Sequence, residues 1–196
     1  MGKSRLEAFS DGVIAVIITI MVLELKVPHG AEPADLLEAA PTFLSYVLSF
    51  VFVAIYWNNH HHMLATVERV NGGMLWANLH LLFWLSLVPF ATAWMAEHPL
   101  TTWPTLLYGF ILVMAALAYT ILQNAVICLH GQQSLLASAV GSDLKGKASI
   151  VCYLVAIGAA FRWPWLSLVL YVAVACLWLV PDRRIERVVH GDGQGR

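Results

Sequence analysis

The sequence has little charge. Only 12% of its 196 residues are Asp, Glu, Lys or Arg, and 60% are hydrophobic, with a mean hydropathy of +0.73. A soluble domain carries about 25% charged residues. This excludes an ordinary water-soluble fold and points to an integral membrane protein. Eleven Lys and Arg are spread thinly against twelve acids. With no basic patch or aromatic platform, nothing calls for nucleic acid as a partner. Cysteine is scarce: Cys128, Cys152 and Cys176 stand apart in apolar segments, none forms a CxxC, and each reads as a small buried residue. No nucleophile–base pair, metal-ligand box or cofactor motif is visible, so an enzyme is not expected. A TVGYG-like filter loop and a ring of acidic residues are also missing, so a channel built from this chain would select ions without a carbonyl filter. No internal repeat occurs. Any pore walled by the first helix would therefore need several chains around an axis.

What the sequence has in quantity is apolar runs. Six spans are expected, near residues 5–27, 42–63, 74–95, 104–128, 148–161 and 164–180. Pro89 should kink the third or end its regular hydrogen bonding. The fifth is near the lower limit for a span, so a re-entrant hairpin of the fifth and sixth is the alternative. The link 28–41 is polar and has room for a short surface helix at 34–40. The expected fold class is an all-α polytopic membrane protein with six transmembrane helices: residues 1–181 form the membrane domain and 182–196 a polar cytoplasmic tail. The first run is too long for a cleavable signal peptide and starts at Asp11. With both termini inside, Lys3, Arg5, Arg69, Lys145, Lys147, Arg183, Arg184, Arg187 and Arg196 fall on the cytoplasmic side, against Lys26 and Arg162 outside. That bias sets the expected orientation. Trp57, Trp76, Trp94, Trp103, Trp163 and Trp165 lie near predicted span ends, as interfacial aromatics do.

The first span organises the rest. Residues 5–27 as a helix reach roughly 33 Å, enough for a bilayer core of about 30 Å. Val16, Ile20 and Leu23 fall on one helical stripe with Thr19 beside it, while Ser10 and Asp11 project roughly opposite. Such a stripe can face lipid or neighbouring helices, or it can wall a pore whose apolar constriction gates by dewetting. Asp11 is expensive near lipid and needs a partner.

The second span ends in Trp57-Asn58-Asn59-His60-His61-His62. Consecutive histidines on a helix point about 100° apart and cannot converge on one ion, so no metal site is expected. They read either as interfacial hydrogen-bonding groups or as members of a network with Arg5, Ser10 and Asp11. Asn78 and His80 lie at the same expected depth.

Arg5, Phe9, Ser10 and Asp11 form RxxxFSD at the start of a first transmembrane helix. This resembles the signature of the endosomal and lysosomal potassium channel family and its small bacterial members. Trp57 followed by His60 and His61, Asn78 early in the third span, and Pro89-Phe90 late in it are similar to that family too. The match spans about residues 5–95. The resemblance implies a homotetramer in the cell membrane, with first helices around a central pore that prefers potassium over other monovalent cations. It implies a hydrophobic constriction of Val16, Ile20 and Leu23, with Thr19 offering a hydroxyl to the ion. Valine at position 16 departs from the larger residue expected at the family's gate. Arg5, Phe9, Ser10, Asp11, Trp57, His60, His61 and Asn78 would make the packing network behind the pore. The rival reading is a proton-coupled secondary transporter using Asp11 and the second-helix histidines.

Overall fold

The structure is a computed structural model and describes residues 2–28, 30–131, 134, 136–137 and 143–179. The polar tail expected from residue 182, with His190, and His29 lie outside these residues. The described chain is helical: α1 Lys3–Leu23, α2 Pro33–Glu38, α3 Ala40–Ala65, α4 Gly72–Ser86, α5 Val88–Glu97, α6 Thr102–His130, α7 Leu144–Ala160 and α8 Pro164–Leu179. Among the described residues, four helical stretches are long and apolar enough to cross a membrane: α1, α3, α4 with α5 (Gly72–Glu97), and α6. The hairpin helices α7 and α8 have 17 and 16 residues, or about 25 Å each at 1.5 Å per residue.

Helix ends follow local chemistry. α1 stops at Leu23, four residues before the expected end, with Glu24 as its C-cap; Pro28 keeps Val27 out of the α region, so the helix does not resume there. α2 begins earlier than expected, with Pro33 in its first turn and the Glu32 amide donating to Asp35 Oδ2 at 2.9 Å. Pro89 divides the third span: α4 ends at Ser86, Leu87 caps it, and α5 restarts at Val88. Proline has no N–H to give residue 85, and its ring crowds that carbonyl.

α6 is the centre of the bundle, packing against α4, α5, α7 and α8. Side chains of α8 reach the backbone of its neighbours. Ser167 Oγ donates to Ala156 O at 2.7 Å, and Tyr171 Oη donates to Thr105 O at 3.0 Å. Gly109 on α6 makes room for the Tyr171 hydroxyl, which a Cβ there would strike. α1 packs mainly on α3, α4 and α5.

The two ends of the bundle differ in charge. At one end Lys3 Nζ donates to Ala65 O at 3.0 Å, and His130 Nε2 accepts from the Glu68 and Arg69 amides at 3.1 and 3.3 Å. At the other, Lys26 pairs with Glu97 at 3.0 Å, and the Trp103 and Phe161 rings meet at 6.4 Å. Among the described residues, Lys3, Arg5, Arg69, Lys145 and Lys147 gather at the first end, and Lys26 and Arg162 at the second.

Candidate functional site: a polar junction beneath an uncovered helix

α1 has two faces. Leu6, Ser10, Ile14, Ile17 and Met21, spaced four, four, three and four apart, are its buried residues. That spacing draws one stripe down the helix. Away from it lies a face that the described chain covers only in part: Val16, Ile20 and Leu23 are 55%, 43% and 81% exposed, and Ile20 lines a hollow with Ser86, Pro89 and Phe90. Arg5, Gly12 and Thr19 are exposed on the same side. Thr19 Oγ1 donates to Val16 O at 2.8 Å. Its single hydrogen is thus turned into the helix, and its oxygen lone pairs remain available.

On the buried side three polar side chains from three helices meet. His60 of α3, Asn78 of α4 and Ser10 of α1 are 2%, 0% and 0% exposed. Asn78 Oδ1 lies 2.7 Å from His60 Nε2. A carbonyl oxygen only accepts, so His60 carries its proton on Nε2 and donates it. Asn78 Nδ2 donates to Ser10 Oγ at 3.0 Å, and Ser10 Oγ donates to Leu6 O at 2.9 Å. A buried polar group left unpaired costs several kcal/mol in an apolar setting, of order 2–7, so a closed chain of this kind fixes how the three helices meet.

A second link lies nearer the surface. Trp57 Nε1 donates to Asp11 Oδ1 at 3.0 Å, and the Trp57 ring stacks on His61 with centroids 5.8 Å apart. Positions 57, 60 and 61 share one face of α3 because they are three and four apart. The three histidines then diverge: His60 enters the junction, His61 lies on Trp57, and His62 Nδ1 faces Asn58 O at 2.8 Å.

The structure brings together Ser10, His60 and Asn78, and separately Asp11, Trp57 and His61. It leaves Arg5 and Phe9 exposed on α1, away from the junction. The partner of Asp11 is the Trp57 indole. Arg5 makes no ion pair or hydrogen bond among the described residues. His80 is also outside the junction, accepting from Trp84 Nε1 at 2.9 Å within its own helix.

One buried polar cluster had no sequence signal. Thr92 Oγ1 lies 2.7 Å from both Val88 O and Ser49 Oγ, and Ser49 Oγ lies 2.9 Å from Tyr108 Oη, joining α5, α3 and α6. Single hydroxyls in apolar helices carry no spacing pattern. Only their placement at one depth on facing sides reveals the cluster.

Apolar helices of spanning length, with polar side chains bonded across the packing seams, define a multi-pass membrane protein. The sequence matches the family model described as endosomal/lysosomal potassium channel TMEM175 over residues 5–89. It is 53% identical over 187 residues to a potassium channel of Chryseobacterium sp. (strain P1-3), covering 95% of this chain and 97% of the relative. The chain belongs to the TMEM175 family. A potassium channel of Chamaesiphon minutus is 36% identical over 124 residues, covering 59% of this chain and 61% of that one. The fold is similar to the crystal structure of a lysosomal potassium-selective channel TMEM175 homolog from Chamaesiphon minutus. The TM-score is 0.79 at 30% identity, with 92% of this chain and 97% of the other covered. The human relative, named an endosomal/lysosomal proton channel, is 31% identical over 86 residues, which are 38% of this chain and 17% of its own length.

Proposed function

We propose that this chain is a potassium-preferring cation channel of the cell membrane. Four copies would surround a central pore walled by their α1 helices. The observation that carries this reading is the division of α1. Leu6, Ser10, Ile14, Ile17 and Met21 are consumed by packing inside the chain, while Val16, Thr19, Ile20 and Leu23 are exposed and contiguous. Around an axis, the apolar members of that stripe would form rings narrow enough to exclude water from a closed pore. The Thr19 oxygen, with its hydrogen committed to Val16 O, would present only lone pairs to a cation. Potassium would prevail over sodium through the lower cost of stripping its water in a constriction without carbonyls. The names borne by the bacterial relatives support potassium as the ion.

Six spans with both termini cytoplasmic is the layout we favour. The clustering of basic residues at the end of the bundle that holds Lys3 supports it. The α7–α8 hairpin would cross at about 25 Å by tilting little or thinning the bilayer locally. The junction of Ser10, His60 and Asn78 would hold α1 at a fixed rotation, outside the ion path. The proton-coupled transporter reading draws no support from the geometry, because Asp11 and His60 are each bonded to a partner.

The test is flux from liposomes holding the purified protein, under a potassium gradient and then a sodium gradient, with no proton gradient. Passive potassium flux above sodium flux is expected. Flux that requires a proton gradient would overturn the channel reading in favour of coupled transport.

A further inference from the structure

His130, the last residue of α6, is half-buried and has a partner for each ring nitrogen. Nδ1 lies 3.0 Å from Val126 O, one turn back along the helix. A carbonyl only accepts, so Nδ1 carries a hydrogen. Nε2 lies 3.1 Å from the Glu68 amide and 3.3 Å from the Arg69 amide. An amide N–H only donates, so Nε2 is a bare lone pair. The opposed demands on the two nitrogens fix both tautomer and charge: the ring is neutral.

The two amides belong to the link 66–71 between α3 and α4. The amides just before them, of Thr66 and Val67, donate to Met63 O and Leu64 O at 3.2 and 3.0 Å and need no side chain. For Glu68 and Arg69 the acceptor among the described residues is His130. The link is also held from α1, since Lys3 Nζ donates to Ala65 O at 3.0 Å. It joins the helix that carries His60 to the helix that carries Asn78, and His130 ties it to the central helix of the bundle.

Protonation would set a third N–H against these two. Nε2 could then accept from neither amide, so the contact is made by the neutral ring alone. It is present at high pH and lost as pH falls through the titration of His130, and histidine titrates between about pH 5 and 8. The elements at this end of α6 bring further charged or titratable groups: Glu68 and Arg69 on the link, His80 on α4, and Asp143, Lys145 and Lys147 at the start of α7. The described part of α8 brings no charge. The carboxylates and the carbonyl end of α6 favour a charged ring, and Arg69 and the lysines oppose it. These groups set where the ring titrates, not whether the contact survives it.

We propose that His130 is a pH-sensitive latch: neutral, it holds the α3–α4 link on α6, and protonated, it releases it. The latch stands apart from the channel reading, since its test follows two amides and not ion flux. Purified full-length protein in detergent is compared at about pH 8.5 and about pH 5 by hydrogen exchange, resolved to single amides and corrected for the intrinsic rate at each pH. The Glu68 and Arg69 amides are expected to lose about tenfold of their protection at the lower pH, the change one net hydrogen bond makes. Thr66 and Val67, which donate to carbonyls, are the reference and should change less. His130→Gln offers an acceptor oxygen that does not titrate, and His130→Phe offers none. In both, the pH dependence at Glu68 and Arg69 should shrink to that of the reference amides. With nitrogen-15 histidine incorporated, the resonances lost in His130→Gln should show Nδ1 protonated and Nε2 bare at the higher pH, and both protonated at the lower. Equal protection of the Glu68 and Arg69 amides at the two pH values would overturn the proposal. So would a pH-dependent loss that persists in both His130 variants, or an Nε2 already protonated at the higher pH.

Discussion

At the scale of single residues, the argument turns on Asn78. It is the only member of the junction that bonds two others, taking the His60 proton and giving its own to Ser10. Asn78→Ala would orphan a buried imidazole N–H and leave a void. At about 1–3 kcal/mol for an unpaired buried group, the variant should unfold at a markedly lower temperature in detergent. Ser10→Ala, whose hydroxyl mainly terminates the chain, should cost less. Asp11 and Trp57 form a separable pair. Asp11→Ala and Trp57→Phe should each weaken assembly, read as loss of oligomer on size-exclusion chromatography. The double variant should be little worse than either single one, the signature of a shared interaction. A stable assembly with altered ion selectivity in Asp11→Ala would instead put Asp11 in the ion path. The participation of Ser10, His60 and Asn78 was legible because polar residues at one depth in apolar helices seek each other. That Asp11 takes an indole, and Arg5 no partner among the described residues, was not. Sequence gives depth along a helix but not the azimuth of its neighbours.

At the scale of helices, the hydropathy runs located the elements, while their ends followed caps and prolines that act over one turn. The two faces of α1 were legible from three- and four-residue spacing, since both are written in one helix. The fit between helices was less so. Gly109 reads as an incidental glycine until Tyr171 is seen against it. Gly109→Ala should destabilise the α6–α8 contact and break the bond from Tyr171 to Thr105, lowering the unfolding temperature. Adding Tyr171→Phe, which removes the colliding hydroxyl, should recover part of the loss. A failure to recover would locate the strain at Ile157, the other side chain close to Gly109. For α1, Val16→Ala and Leu23→Ala widen the proposed constriction and should raise basal leak in liposomes by lowering the dewetting barrier. Unchanged leak in both would move the constriction away from this stripe.

At the scale of the whole molecule, one chain leaves too much of α1 uncovered to be the complete unit of the proposed function. Leu23 is 81% exposed at the end of the stripe. With the native cysteines replaced, Leu23→Cys should crosslink copies under mild oxidation, giving a dimer band on denaturing gels, since one thiol per chain makes one disulfide. Trp163→Cys, in the turn before α8, should not. No dimer band from Leu23→Cys would move the shared axis away from this end of the stripe. The number of copies was never legible in the residues themselves, because one chain specifies a face and not the symmetry that closes it. The membrane class, by contrast, was readable from composition alone.

The position of the junction has a mechanical consequence. Ser10 lies near one end of α1 and Leu23 at the other, about 20 Å away at 1.5 Å per residue. A helix pinned at Ser10 resists turning about its own axis, since one residue's rotation would tear Ser10 from Asn78. It pivots readily. A tilt of about 10° about that pin would carry Leu23 sideways by about 3.5 Å and leave the pin intact. The hydrogen-bonded end is a fulcrum and the far end a lever tip, so the arrangement favours swinging over twisting as the low-cost motion of this helix.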